Sequence, residues 1–197
     1  LASLPVFRRL KVAVFFTGDE LTMPGEALKP GAIYNSNRFT LRGLLQQLGC
    51  EVTDLGNVPD SFEATRNALR TAAAGHDLIV TSGGVSVGEE DHVKPAVEAE
   101  GRLTMWQIAI KPGKPLAFGE VRRDGQPDPA FFVGLPGNPV SSFVPFLLFV
   151  RPFILALQGA QVAQPRRYPM RADFDWAKPD RRNEFLRVRI NDRQGLE

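Results

Sequence analysis

"DLIVTSGGVSVGEEDHVK", residues 77–94, carries one structural unit from end to end. Leu78 to Thr81 are an apolar run of strand length, Ser82-Gly83-Gly84 break it, and VKPAVEAEG from Val93 onward has the composition of a short helix, with Pro95 tolerable in its first turn. Strand, glycine loop and helix in that order make half of a βαβ unit, which predicts a parallel sheet.

The preceding sequence repeats the pattern. Lys11 to Phe16, KVAVFF, reads as a buried strand ended by Thr17-Gly18-Asp19. A polar loop with Pro24, Gly25, Pro30 and Gly31 leads to Asn35-Ser36-Asn37, cap-type residues ahead of RFTLRGLLQQLG. There Phe39, Leu41, Leu44, Leu45 and Leu48 keep helical spacing until Gly49. CEVTDLG is a second strand. Asp60-Ser61-Phe62-Glu63 then sets Asp60 as an N-cap three residues before a glutamate, a capping-box arrangement opening a helix through Ala74 that Gly75 closes.

From Leu103 the pattern turns to strands, LTMWQIAI, PLAFGEV and AFFVGLPG, with the hairpin-like RRDGQPDP between the last two, followed by an apolar helix from Val140 to about Leu157. The expected fold for residues 1–159 is therefore α/β, a three-layer α/β/α arrangement with a mostly parallel, doubly wound sheet. Past Gly159 the chain is rich in arginine and proline, and EFLRVRI alternates. Residues 160–197 are expected to begin a small β domain too short to close its own core, as in a fragment of a longer protein.

Composition bounds the function. The net charge is +2, with nine Lys/Arg against six Asp/Glu from Gln161 to Glu197, and no basic stripe of the kind that tracks nucleic acid. Cys50 is the only cysteine, which excludes disulfides within the chain and thiolate metal clusters and agrees with a reducing, cytoplasmic setting. The apolar stretch Phe143 to Leu157 is interrupted by Pro145, Arg151 and Pro152, so it is expected to fall short of the roughly 20 residues of a membrane span. No signal peptide is visible.

In a doubly wound sheet the loops after Phe16, Asn57 and Thr81 leave the same edge, where ligands bind. They carry Asp19 and Glu20, then Asp60, then Glu89, Glu90 and Asp91. Carboxylates so dense around glycine turns suit a hard cation such as Mg²⁺ completed by phosphate oxygens and water; taken singly, each is as readily a solvated loop acid, and Asp60 a helix cap. The glycines of SGGVSVG, with the hydroxyls of Ser82 and Ser86, have the makings of a phosphate cradle, although no Walker or Rossmann spacing is present. IKPGKP sets Lys111 and Lys114 on a chain stiffened by prolines. GLPGNPVSS puts Pro136, Gly137, Asn138 and Pro139 before a helix whose free N–H groups, with Ser141, can face an oxyanion. His76 reads as structural, and Trp106, Phe118 and Phe131 as core.

TGDEL, IYNSNRFTL, LGCEV, SGGVSVGEEDHVK, IKPGKPLAFG and GLPGNPVSS, in that order, closely resemble the molybdopterin molybdenumtransferases, the MoeA family that includes the E domain of gephyrin. The resemblance runs from about Val12 to Gly159, and EFLRVRI resembles the start of the family's last domain, a small β barrel. It implies a MoaB/Mog-like molybdopterin-binding fold and insertion of molybdate into adenylylated molybdopterin with Mg²⁺-dependent loss of AMP. By motif it makes Glu20, Asp60, Asp91 and Lys111 the catalytic residues, with Asp91 and Glu20 holding Mg²⁺. Thr17, Gly18, Asp19, Asn37, Ser82, Gly83, Gly84, Ser86, Gly88, Lys114, Pro136, Gly137, Asn138, Pro139 and Ser141 would bind molybdopterin-AMP and molybdate. It also implies a homodimer in the full-length protein and contact with a molybdopterin adenylyltransferase. His92 and Gln107 depart from the family pattern, where Tyr and Lys are frequent. Two rival readings are a molybdopterin adenylyltransferase or CinA-like enzyme on the same fold and a non-catalytic interaction module.

Overall fold

A computed structural model describes residues 2–85, 91–161 and 165–197 of the chain. In chain order it contains β1 (Lys11–Thr17), a short parallel pair β2 (Leu21–Thr22) and β3 (Ile33–Tyr34), α1 (Ser36–Gln47), β4 (Glu51–Val58), α2 (Phe62–Gly75), β5 (Leu78–Ser82), α3 (Val93–Glu100), β6 (Gly101–Gln107), β7 (Ile110–Lys111), β8 (Pro115–Val121), β9 (Ala130–Leu135), α4 (Pro139–Pro145), α5 (Arg151–Leu157) and β10 (Asn183–Glu184).

Six strands form one sheet in the order β4-β1-β5-β9-β8-β6. The four from β4 to β9 pair in parallel, while β8 runs antiparallel to β9 and β6 antiparallel to β8. Because successive strand residues point to opposite faces, β1 feeds two separate cores. Val12, Val14 and Phe16 meet Leu41 and Leu45 of α1 and the chain from Phe146 to Ile154 on one face. Ala13 and Phe15 meet Leu69 and Ala72 of α2 and Val93, Ala96 and Val97 of α3 on the other. These are the three layers expected from the sequence. Phe15, Phe16, Phe132 and Phe146 are fully buried, each contributing about 2–3 kcal/mol through lost contact with water.

Three local expectations are corrected. The N-cap of α2 is Ser61, not Asp60: Ser61 has the extended backbone a cap requires, and its Oγ accepts the Ala64 N–H at 3.3 Å. Glu63 is then too early for a capping box and pairs with Arg66. The apolar helix is not interrupted at Pro145 or Arg151-Pro152. A π-helical turn, Phe146–Val150, joins α4 to α5, and Pro152 follows it as the second residue of α5. Pro139–Leu157 is consequently 19 residues of continuous apolar helix, long and apolar enough by length and composition to cross a membrane. Its Phe146, Val150 and Ile154 nevertheless pack into the sheet core, while Val140, Phe143 and Phe149 stay exposed.

The third correction concerns the C-terminal segment. Only Asn183–Glu184 of NEFLRVRI forms a strand, β10, parallel to β7, and beyond it the backbone makes isolated bridges from Leu196 to Ala172 and Ile190. Alternation alone does not make a strand when no sheet faces the apolar side, and Phe185, Leu186, Val188 and Ile190 are all exposed.

Candidate active site at the carboxyl edge of the sheet

The loops after β1, β4, β5 and β9 open on the same edge of the sheet. Between them lie two adjoining cavities of about 290 Å³ and 350 Å³ that share Thr17, Glu20 and Gly137 and so form one cleft. The first is walled by Gly18, Asp60, Gly83, Gly84, Pro115 and Pro136, and the second by Asn35, Asn37, Ser82, Asn138 and Pro139.

The walls are built by close backbone approach. Gly83 has φ +97° and donates its N–H to Leu135 O at 3.0 Å; a Cβ there would stand 2.2 Å from the Thr17 carbonyl oxygen, so only glycine lets the β5 loop lie on the end of β1. At Gly18, φ +138°, a Cβ would fall 2.6 Å from the Glu20 carboxylate, which the bare backbone leaves free to turn into the cleft.

A buried hydroxyl and amide clasp fixes the second wall. Asn37 Nδ2 donates to Ser82 Oγ at 2.8 Å and to Gly137 O at 2.7 Å, and the Ser82 and Ser142 hydroxyls each donate to Pro136 O at 2.9 Å. Ser142, missed in the sequence, follows Ser141 near the start of the helix, and nothing in the spacing singles it out. Asn35 is a second missed residue: it caps α1 through Arg38 N and donates to Asn57 Oδ1 at 2.8 Å, tying the β4 exit to the cleft. Thr17, buried at the cleft, has no hydrogen-bond partner for its hydroxyl among the described residues.

Thr17, Gly18, Glu20, Asn37, Asp60, Ser82, Gly83, Gly84, Pro136, Gly137, Asn138 and Pro139 thus come together in the cleft. Other expected residues do not. Asp19 is exposed beside it. Asp91 Oδ1 accepts the Val93 N–H at 3.2 Å at the start of α3, outside the cavity wall. Ser86 and Gly88, with Glu89 and Glu90, lie outside the described residues. Ser141 does not offer a free N–H: Asn138 Oδ1 accepts from both Val140 N and Ser141 N at 3.1 Å, and Ser142 N bonds Asn138 O, so the start of α4 is satisfied internally. Lys114 is exposed. Lys111 is drawn to the C-terminal segment, its Nζ 2.7 Å from Glu184 Oε1.

His76 is structural as expected, its ring nitrogens bonded to Ala72 O at 2.8 Å and Thr53 Oγ1 at 2.7 Å. Phe118 and Phe131 pack with Phe153, and Trp106 lies against the α2/α3 core, with Lys94 over its ring.

Among the described residues no three His, Cys, Asp or Glu side chains gather as a ready-made metal cage. Two carboxylates, Glu20 and Asp60, do face one cavity. That sparse set fits Mg²⁺, which keeps its waters and takes one or two protein carboxylates together with substrate phosphate oxygens.

Comparison with known proteins agrees with this fold. A family described as "Probable molybdopterin binding domain" matches residues 13–156. A molybdopterin molybdenumtransferase of Haemophilus influenzae is 45% identical over 188 residues, covering 95% of this chain and 45% of that protein. A protein of the same description from Nostoc sp. is 39% identical over 155 residues, covering 78% of this chain and 35% of that one. The crystal structure of a molybdopterin biosynthesis MoeA protein from Pyrococcus horikosii superimposes with a TM-score of 0.67 at 36% identity, over 78% of this chain and 36% of that one. The chain spans less than half the length of these curated relatives.

Proposed function

Because this chain belongs to the molybdopterin-binding domain family, we propose that its cleft serves molybdenum cofactor synthesis by inserting molybdate into adenylylated molybdopterin, with Mg²⁺-dependent release of AMP. The observation that carries the reading is the meeting of Glu20 and Asp60 with the Gly83-Gly84 backbone in one cavity at the carboxyl edge of the sheet.

In this reading Gly83 and Gly84 admit the pyrophosphate close to the main chain, and the buried Thr17 hydroxyl offers a hydrogen bond beneath it. The clasp of Asn37, Ser82 and Ser142 holds Pro136 and Gly137 so that the second wall does not collapse into the space of the pterin. Glu20 and Asp60 would hold Mg²⁺, with Asp91 at the start of α3 as the remaining acid; the ion would neutralise charge on the leaving phosphate. Lys111 and Lys114, outside the cleft wall, would attract molybdate toward its mouth. A homodimer, contact with a molybdopterin adenylyltransferase and a cytoplasmic setting belong to the same proposal, the last supported by the single buried Cys50.

The test is calorimetric titration of the chain with adenylylated molybdopterin, with and without Mg²⁺, beside Glu20→Gln and Asp60→Asn. Mg²⁺-dependent binding that drops at least tenfold in each variant is expected. Binding indifferent to Mg²⁺ and to both substitutions would refute the assignment.

A further inference from the structure

The lysine that the sequence offers most directly to an oxyanion already has an anion beside it. Lys111 Nζ donates to Glu184 Oε1 at 2.7 Å and lies 3.9 Å from Asp180 Oδ2. Both acids come from the C-terminal segment, which is held against β7 by main-chain bonds on either side of Glu184: Asn183 N to Ala109 O at 2.9 Å and Phe185 N to Lys111 O at 2.7 Å. The Glu184 side chain is 12% exposed and that of Lys111 51%. Glu184, the more buried of the two and anchored by main-chain bonds on either side, is the fixed member of the pair and the ammonium the open one.

We propose that Glu184 is a specificity-determining residue that competes, as a resident carboxylate, with the oxyanion Lys111 recognises. The idea rests on the reading of Lys111 and Lys114 as the oxyanion-attracting pair. An ammonium has three donors; one is committed to Glu184, and an incoming anion must share the positive charge with a carboxylate already in contact. Two anions on one cation repel each other, so the resident one weakens the hold on the visitor. Asp180 adds little to the competition, because Arg182 takes its carboxylate at 2.5 Å and Lys111 is farther away. Lys114, which forms no ion pair among the described residues, supplies the undiluted charge. A singly charged anion gains less than a doubly charged one from a cation that already holds a carboxylate, and in that sense Glu184 sets specificity.

Titration of molybdate into the chain, with Glu184→Gln, Lys111→Met, the double variant of these two and Lys114→Met, tests the proposal. Glu184→Gln keeps the main-chain bonds that anchor β10, and an unchanged melting temperature checks that anchorage. The expected result is molybdate binding about five- to tenfold tighter in Glu184→Gln, about tenfold weaker in Lys111→Met, and no gain from Glu184→Gln once Lys111 is gone. Glu184→Gln that leaves affinity unchanged or weaker, while Lys111→Met still weakens it, would overturn the competitor role and leave the oxyanion reading standing. Indifference of affinity to Lys111→Met and Lys114→Met alike would overturn both.

Discussion

Gly83→Ala isolates the contact that shapes the cleft. The residue has φ +97°, in the left-handed half of conformational space where an L side chain costs about 1–2 kcal/mol. Its new Cβ would meet the Thr17 carbonyl oxygen at 2.2 Å. Carbon and oxygen at ordinary contact need roughly 1 Å more, and the obstacle is main chain of a central strand, which cannot rotate away. Backing off by that distance breaks the Gly83 N–H to Leu135 O bond, worth about 1 kcal/mol, and strains the end of β1. The first two effects sum to about 2–3 kcal/mol, to which the strain adds, so the loss in melting temperature is at least about 4–12 °C for a chain of this size. Gly125→Ala is the control: Gly125 also has positive φ, at +71°, but a Cβ there meets nothing within 4 Å, so only the conformational part of about 1–2 kcal/mol remains. Chemical denaturation of both variants measures the difference. If Gly83→Ala lost no more stability than Gly125→Ala, the close packing of the β5 loop on β1 would be wrong, and with it the shape of the cleft.

Ser142→Ala removes one hydroxyl from the clasp on Pro136 O and should lower stability by about 1 kcal/mol in urea denaturation, while weakening adenylylated molybdopterin more than that loss alone accounts for. Burial pushes the Cys50 thiol up to about 11, so Ellman's reagent at pH 8 should leave it unmodified until denaturant is added; the unfolded thiol ionises first as pH rises, and stability should decline between about pH 9 and 11. Burial also pushes the Asp77 carboxyl up, yet Arg8, the Lys11 N–H and Arg123 together hold it below its ordinary value. That stability is present above about pH 4 and is lost as pH falls through the lowered value, so Asp77→Asn should cost about 1–2 kcal/mol at pH 7 and progressively less in acid, read from melts across that range. Ile154→Ala, in a fully buried position under the sheet, should cost about 2–5 kcal/mol by the same measurement.

The parallel half of the sheet could be read because its signals are local. KVAVFF and DLIVTS are apolar on both faces, as strands covered by helices must be, and the glycines after them mark the edge where a site can form. Glu20, Asp60 and the Gly83-Gly84 pair follow from that topology without further information. What escaped depends on geometry that spacing does not encode. Asp60 and Ser61 are both good caps, and the φ and ψ of Ser61 decide between them. A proline inside an apolar helix normally breaks it, but here the helix continues past Pro145 through a π-helical turn. EFLRVRI has strand periodicity, but only its first residue pairs in a strand, against β7, and the tie between Glu184 and Lys111 joins residues far apart in the chain. Ser142 gave no warning, since a serine inside an apolar helix reads equally as a tolerated surface residue.

The central position of β1 and β5 divides the molecule by the rate at which its amides exchange with solvent. Each is bonded to neighbours on both sides and covered on both faces, with Val12 to Phe16 and Leu78 to Val80 fully buried. In deuterated buffer their N–H groups should open only with global unfolding and report the whole stability of the domain. The residues that shape the cleft hang from the carboxyl ends of these same strands. The walls of the cleft are therefore anchored in the slowest-exchanging part of the protein.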